Sequence, residues 1–76
     1  METVPPFSAQ AKHLKLGIYE HFKGKQYRVL HIARHSETLE ELVVYQQLYG
    51  TGDVWVRPLP MFLETANGAP RFRFIE

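Results

Sequence analysis

Along the chain, β-branched and aromatic residues interleave with polar ones in short runs, and glycine or proline clusters punctuate them. Gly17-Ile18-Tyr19-Glu20-His21-Phe22 has the composition of a strand. Lys23-Gly24-Lys25-Gln26 predicts a tight turn, because glycine takes the positive φ a hairpin needs. Tyr27 to Arg34 predicts the second strand. Pairing Lys23 with Gln26 sets Phe22 opposite Tyr27, Glu20 opposite Val29 and Ile18 opposite His31. Tyr27 and Val29 then share one face, while Leu30 and Ile32 share the other. That switch of face predicts a bulge or strong coiling where the sheet bends.

Leu42 to Tyr49 predicts the third strand, with Val44, Gln46 and Leu48 on one face and Val43, Tyr45, Gln47 and Tyr49 on the other. Gly50-Thr51-Gly52-Asp53 is a turn, and Val54 to Arg57 a short fourth strand that Pro58-Leu59-Pro60 ends. Met61 to Glu64 predicts one helical turn. Asn67-Gly68-Ala69-Pro70 turns the chain into a last strand, Arg71 to Ile75, with Phe72 and Phe74 facing the core. The fold class expected is mainly β: a small, five-stranded, partly open barrel with a short helical turn before the last strand. Residues 1–15 are expected to be a flexible tail, with a turn or two of helix at Phe7 to Lys15 too short to stand alone. Residues 16–76 are expected to be the domain.

Composition bounds the chemistry. The chain has 76 residues, 45% of them hydrophobic and none cysteine. It predicts one thin-cored domain without disulfides, thiolate catalysis or cysteine-type zinc sites. The uninterrupted apolar runs, Leu42 to Tyr45, Val54 to Val56 and Met61 to Leu63, are far short of the ~20 residues of a membrane span. The N-terminus lacks the basic start and apolar run of a signal peptide. A soluble cytoplasmic chain is expected, with no membrane partner and no cofactor.

Net charge is +1, but its distribution is uneven. Residues 1–34 carry +4, residues 35–53 carry −4 and residues 54–76 carry +1. One reading is a surface whose signs compensate in solvent. The other is a basic hairpin beside an acidic loop, a dipole able to orient a partner.

Four strings together carry a resemblance. They are Gly17-x-Tyr19-x-His21-x-Lys23-Gly24-x-x-Tyr27; Ala33-Arg34-His35-Ser36-Glu37-Thr38-Leu39-Glu40; Val43-Val44-Tyr45-x-x-Leu48-Tyr49-Gly50; and Trp55-Val56-Arg57-Pro58-Leu59-x-Met61-Phe62. From about Gly17 to Phe74 the chain resembles the bacterial domain of unknown function 1653. The resemblance implies a small SH3-like β-barrel and implies no activity. Residues 1–15 lie outside it.

Among candidate sites, His35, Ser36 and Glu37 are adjacent and suggest a hydrolase, yet neighbouring side chains in extended chain leave opposite faces. The bland alternative is that Ser36 or Thr38 caps a turn, with Thr38-x-x-Glu41 fitting a capping box. A small enzyme built around His21, His35 and Glu37 therefore ranks last, and no catalytic residue is assigned. His31 and His35 would lie ~13 Å apart on one strand, too far to share a metal; no metal site is assigned. Lys23, Lys25, Arg28 and Arg34, with tyrosines nearby, make a nucleic-acid-binding accessory domain the alternative. Its counterweights are near-neutral charge and three glutamates that follow directly. Arg34 and Arg57 either pair with glutamates on the surface or grip a ligand's carboxylate or phosphate. The first expectation is a non-enzymatic module that binds a peptide or protein through Tyr19, His21, Arg34, His35, Ser36, Glu37, Tyr45, Tyr49, Trp55 and Arg57. The competing possibility is that Trp55 and one tyrosine fill the core. Open strand edges allow a monomer or a weak homodimer.

Overall fold

The structure is a computed structural model and describes residues 4–76; residues 1–3 of the expected tail lie outside it. Five strands make one antiparallel sheet: β1 (Gly17–His21), β2 (Gln26–Arg34), β3 (Glu41–Gln47), β4 (Val54–Pro58) and β7 (Phe72–Phe74). Their order is β4-β3-β2-β1-β7. A separate two-stranded ribbon, β5 (Thr65–Ala66) with β6 (Ala69–Pro70), closes around Asn67-Gly68. The fold is mainly β, as expected. The sheet is not closed into a barrel, because β4 and β7 end it as two separate edges.

The first hairpin departs from its expected register. Tyr19 lies opposite Tyr27 and Glu20 opposite Gln26. The His21 N–H donates to Lys25 O at 2.7 Å, and Gly24 N–H donates to His21 O at 2.7 Å. The loop is thus Phe22-Lys23-Gly24, with Gly24 third and at φ 97°. A left-handed residue at that place is the mark of a three-residue hairpin, which moves the register from that of a two-residue turn. The expected bulge is present in β2, between Val29 and His31. It lets Val29 and Ile32 face the same way, opposite Tyr45 and Val43.

Two helices cover the core face. Helix α2 (Leu59–Phe62) begins two residues earlier than expected, directly after Pro58, and drives Leu59 and Phe62 into the core. Pro58 itself closes β4 opposite Leu42, tolerated because β4 is an edge strand. Phe62 stacks on Phe72 at 4.2 Å between centroids, and Tyr19 and Tyr45 meet Phe62 edge-on. Helix α1 (Ala9–His13) is the second cover.

The expected tail is therefore packed from Phe7 to Leu14. Ala11 is buried, and Phe7 and Leu14 lie against the core. The Ser8 hydroxyl caps α1 by accepting the Ala11 N–H at 3.1 Å. Ser8 also donates its N–H and hydroxyl to the Glu41 carboxylate, both at 2.7 Å. The helix is too short to persist alone, and the sheet supplies what it lacks.

Candidate functional site

The strand registers build one concave surface. Tyr27 lies opposite Gln47, Tyr45 opposite Trp55 and Val43 opposite Arg57. Residues directly opposite share a face, so these side chains emerge on the face that carries the buried Val29, Val43 and Tyr45. Toward the β3–β4 turn that face opens into a groove of about 230 Å³ lined by Tyr27, Tyr45, Gln47, Tyr49, Trp55 and Arg57.

The groove's side chains are fixed by each other. The Trp55 indole N–H donates to Gln47 Oε1 at 2.8 Å, which holds the ring while leaving the residue 50% exposed. The Tyr27 and Tyr49 hydroxyls share a hydrogen bond of 2.7 Å. Arg57 Nε donates to the Tyr45 hydroxyl at 3.3 Å, and its guanidinium sits 5.7 Å from the Phe72 ring centre. One of five guanidinium donors is thereby used. Lys25 Nζ lies 4.7 Å above the Tyr49 ring. No carboxylate lines the groove. Burial, then the Tyr49 hydrogen bond, pushes the Tyr27 phenol up to about 12, so it stays neutral. Four aromatic side chains, the Arg57 guanidinium with Lys25 beside Tyr49, and no carboxylate in the lining suit an extended segment carrying apolar groups and negative charge.

A second depression, about 310 Å³, lies by the first hairpin between Glu20, His21, Phe22, Gly24, Ala69, Pro70 and Arg73. Its charges already satisfy each other, with Arg73 on Glu20 at 2.7 Å. The groove offers exposed aromatic faces and a cation, so it is the stronger candidate.

The residues singled out from the sequence divide. Tyr49, Trp55 and Arg57 meet at the groove, and Tyr45 is its buried floor. His21 packs edge-on to Tyr27 and Phe72 at the same end. Burial first, then Arg71, Lys23 and Arg57, lower its pKa. Tyr19 is not a surface residue. It is 5% exposed, with its hydroxyl donated to Lys15 O at 2.7 Å.

Arg34, His35, Ser36 and Glu37 sit elsewhere. Arg34 ends β2 and the other three follow it, about 26 Å along the strand from its start. Arg34 stacks on Phe7, 4.1 Å from the ring centre. His35 Nδ1 accepts the N–H groups of Glu37 at 3.1 Å and Thr38 at 3.3 Å. Thr38 accepts the Glu40 N–H at 3.2 Å, and Glu41 is engaged by Ser8, so the loop is a side-chain-capped turn without the expected capping box. His21 and His35 thus stand at opposite ends of β2. The basic set divides too: Lys23 and Lys25 lie at the first hairpin, whereas Arg28 pairs opposite Gln46, away from the core face.

Sequence reasoning missed Tyr27 and Gln47 as site residues. Gln47 shares a face with Tyr45 and Tyr49 in the alternation itself, a usable signal. Tyr27 needed the β2–β3 register, which sets it opposite Gln47. Among the described residues no three His, Asp or Glu side chains converge on a metal position, and no helix is long and apolar enough to cross a membrane.

Comparison with known proteins agrees with the geometry. A DUF1653 protein from Bordetella bronchiseptica, known from its crystal structure, superposes with a TM-score of 0.79 at 34% identity, covering 86% of this chain and 91% of that one. No curated protein matches. The family model for a protein of unknown function, DUF1653, matches residues 17–75, so the chain belongs to the DUF1653 family.

Proposed function

We propose that the domain is a non-enzymatic cytoplasmic module that holds an extended segment of a partner protein along the Tyr27–Tyr49–Trp55–Arg57 groove. The observation that carries this reading is Trp55: half exposed, yet anchored through its indole N–H to Gln47. An indole used only for packing would lie in the core; this one is held facing solvent. SH3 domains use a Tyr/Trp groove to hold proline-rich peptide by packing on its preformed extended helix, and in that sense the domain reads as SH3-like. Arg57 adds a fork for a carboxylate beside the aromatic faces.

Trp55 is the one tryptophan in the chain, so its emission reports on the groove directly. Titration with a proline-rich peptide bearing one acidic residue should give a saturable change. Arg57→Ala or Tyr49→Ala should weaken it about tenfold, equal to ~1.4 kcal/mol. Single-stranded RNA should leave the emission unchanged. A flat peptide titration together with salt-sensitive RNA binding would overturn the reading in favour of nucleic acid.

A further inference from the structure

The two edges of the sheet are not alike. β7 has three residues, and the flanking Arg71 together with Arg73 within it blunts the edge. β4 has five, and its Val54, Trp55 and Val56 are 53%, 50% and 60% exposed without a charge among them. Arg57 and Pro58, its last two positions, are the strand's guards on that edge.

Hydrogen-bond alternation shows which β4 amides are free. Leu48 N–H donates to Gln26 O at 3.0 Å, and Gln47 N–H donates to Asp53 O at 3.0 Å. Even-numbered residues of β3 therefore bond toward β2, and odd-numbered ones toward β4. Through the β3–β4 register, Trp55 and Arg57 of β4 bond inward, as does Asp53 just before the strand. Val54 and Val56 direct N–H and C=O outward.

We propose that this edge pairs antiparallel with β4 of a second copy of the chain, in the register centred on Trp55. In that register Val54 of each copy opposes Val56 of the other. Each such pair exchanges two backbone hydrogen bonds between the outward amides, four in all. Trp55 opposes Trp55 in the non-hydrogen-bonded position, where side chains come closest and aromatic pairs favour each other. Asp53 opposes Arg57 twice, on the concave face. Shifting by one residue would point amides away from each other. Shifting by two in one direction brings Pro58, which has no N–H, opposite Val54; in the other it brings Asp53 opposite Trp55. The charge pairing thus selects one register. The pairing joins the two five-stranded sheets and does not rest on the peptide reading. With one short strand per copy, the contact falls in the small, weak class of interface.

The test is charge exchange. Sedimentation of the full chain across a concentration series should show monomer passing to dimer. Asp53→Arg and Arg57→Asp each set like charges against each other and should weaken the dimer about tenfold or more. An equimolar mixture of the two variants places opposite charges at both contacts and should restore dimer as a heterodimer. Val56→Pro removes an outward donor that the monomer does not use, and should leave a folded monomer by circular dichroism. A chain that stays monomeric near millimolar concentration overturns the proposal. So does a dimer that both single charge variants keep, or a mixture that fails to recover it while both variants are folded.

Discussion

The hydroxyls of Tyr27, on β2, and Tyr49, just past β3, meet at 2.7 Å on the wall of the groove. One phenol donates and the other accepts; ionising one leaves the other to donate to a phenolate, and ionising both removes the last donor. Tyr27 is pushed up to about 12 from an ordinary 10.0, by burial and by this bond. A raised pKa marks stability present below the unfolded value and lost as pH climbs from 10.0 toward about 12. Tyr49→Phe should bring the Tyr27 ionisation back toward its ordinary range. Ultraviolet titration of phenolate absorbance checks this; an unchanged Tyr27 transition in the variant would count against the bond.

The docking of α1 gives a second expectation. Ser8 caps the helix and donates twice to Glu41. Loss of an N-cap costs about 1 kcal/mol, so Ser8→Ala should lower Tm by roughly 4–8 °C in a domain this small. The Ser8 N–H, then its hydroxyl and the Arg34 charge, hold the Glu41 carboxyl below its ordinary value. A depressed carboxylate stabilises above that value and ceases to do so as pH falls through its folded pKa. Acidification from about pH 6 to about pH 3 should therefore cost wild type more stability than Glu41→Gln. Thermal melts at both values, read as the difference between the two proteins, decide it.

Much of this fold was legible because strands write their faces into sequence. Val43 and Tyr45 alternate with Val44 and Gln46, and the structure buries the first pair. The clash between Tyr27/Val29 and Leu30/Ile32 announced a bulge that sits at that place. What failed depended on long-range partners. The packing of Phe7, Ala11 and Leu14 needs a sheet face that no local pattern reveals. The first register turned on whether Gly24 is second or third in its loop, a difference that the composition of Lys23-Gly24-Lys25 does not encode. Closure failed because edge pairing between β4 and β7 is a tertiary matter. For the site, Tyr49, Trp55 and Arg57 were visible as aromatics and a cation near a turn. The Arg34–Glu37 string stood out because its residue types are reactive; in the structure His35 Nδ1 caps the turn and Arg34 stacks on Phe7.

That capping predicts a clean separation. His35 Nδ1 holds two turn amides, and Leu39 sits at φ 64°, a conformation costly for a residue with a side chain. His35→Ala should lower stability by about 0.5–1.5 kcal/mol, the worth of such exposed bonds. Peptide-dependent Trp55 emission should persist unchanged, because the loop lies at the other end of β2. Urea unfolding and the fluorescence titration on one sample measure both. Loss of binding at preserved stability would return the loop to the site.

Gly17 carries the sharpest steric expectation. Its φ is 138°, and a Cβ there would fall 2.8 Å from Glu76 O and 3.2 Å from Phe74 Cε1. The same Glu76 oxygen accepts the Ile18 N–H at 3.3 Å, so the chain end is fastened to β1 where an alanine would intrude. Two costs combine in Gly17→Ala. One is backbone strain of about 1–3 kcal/mol. The other is displacement of the last residues from β1, which frees the Ile18 amide and loosens the β1–β7 pairing of Tyr19 with Phe74. Deleting Glu76 separates them: in the shortened chain the clash with Glu76 vanishes, while the strain and the tight contact with the Phe74 ring stay. Gly17→Ala should then cost less in the shortened chain than in the full one, and the Ile18 amide should exchange with solvent faster in full-length Gly17→Ala than in wild type. Equal costs in the two backgrounds would remove Glu76 from the account and leave backbone strain and the Phe74 ring as the reason for glycine at this position.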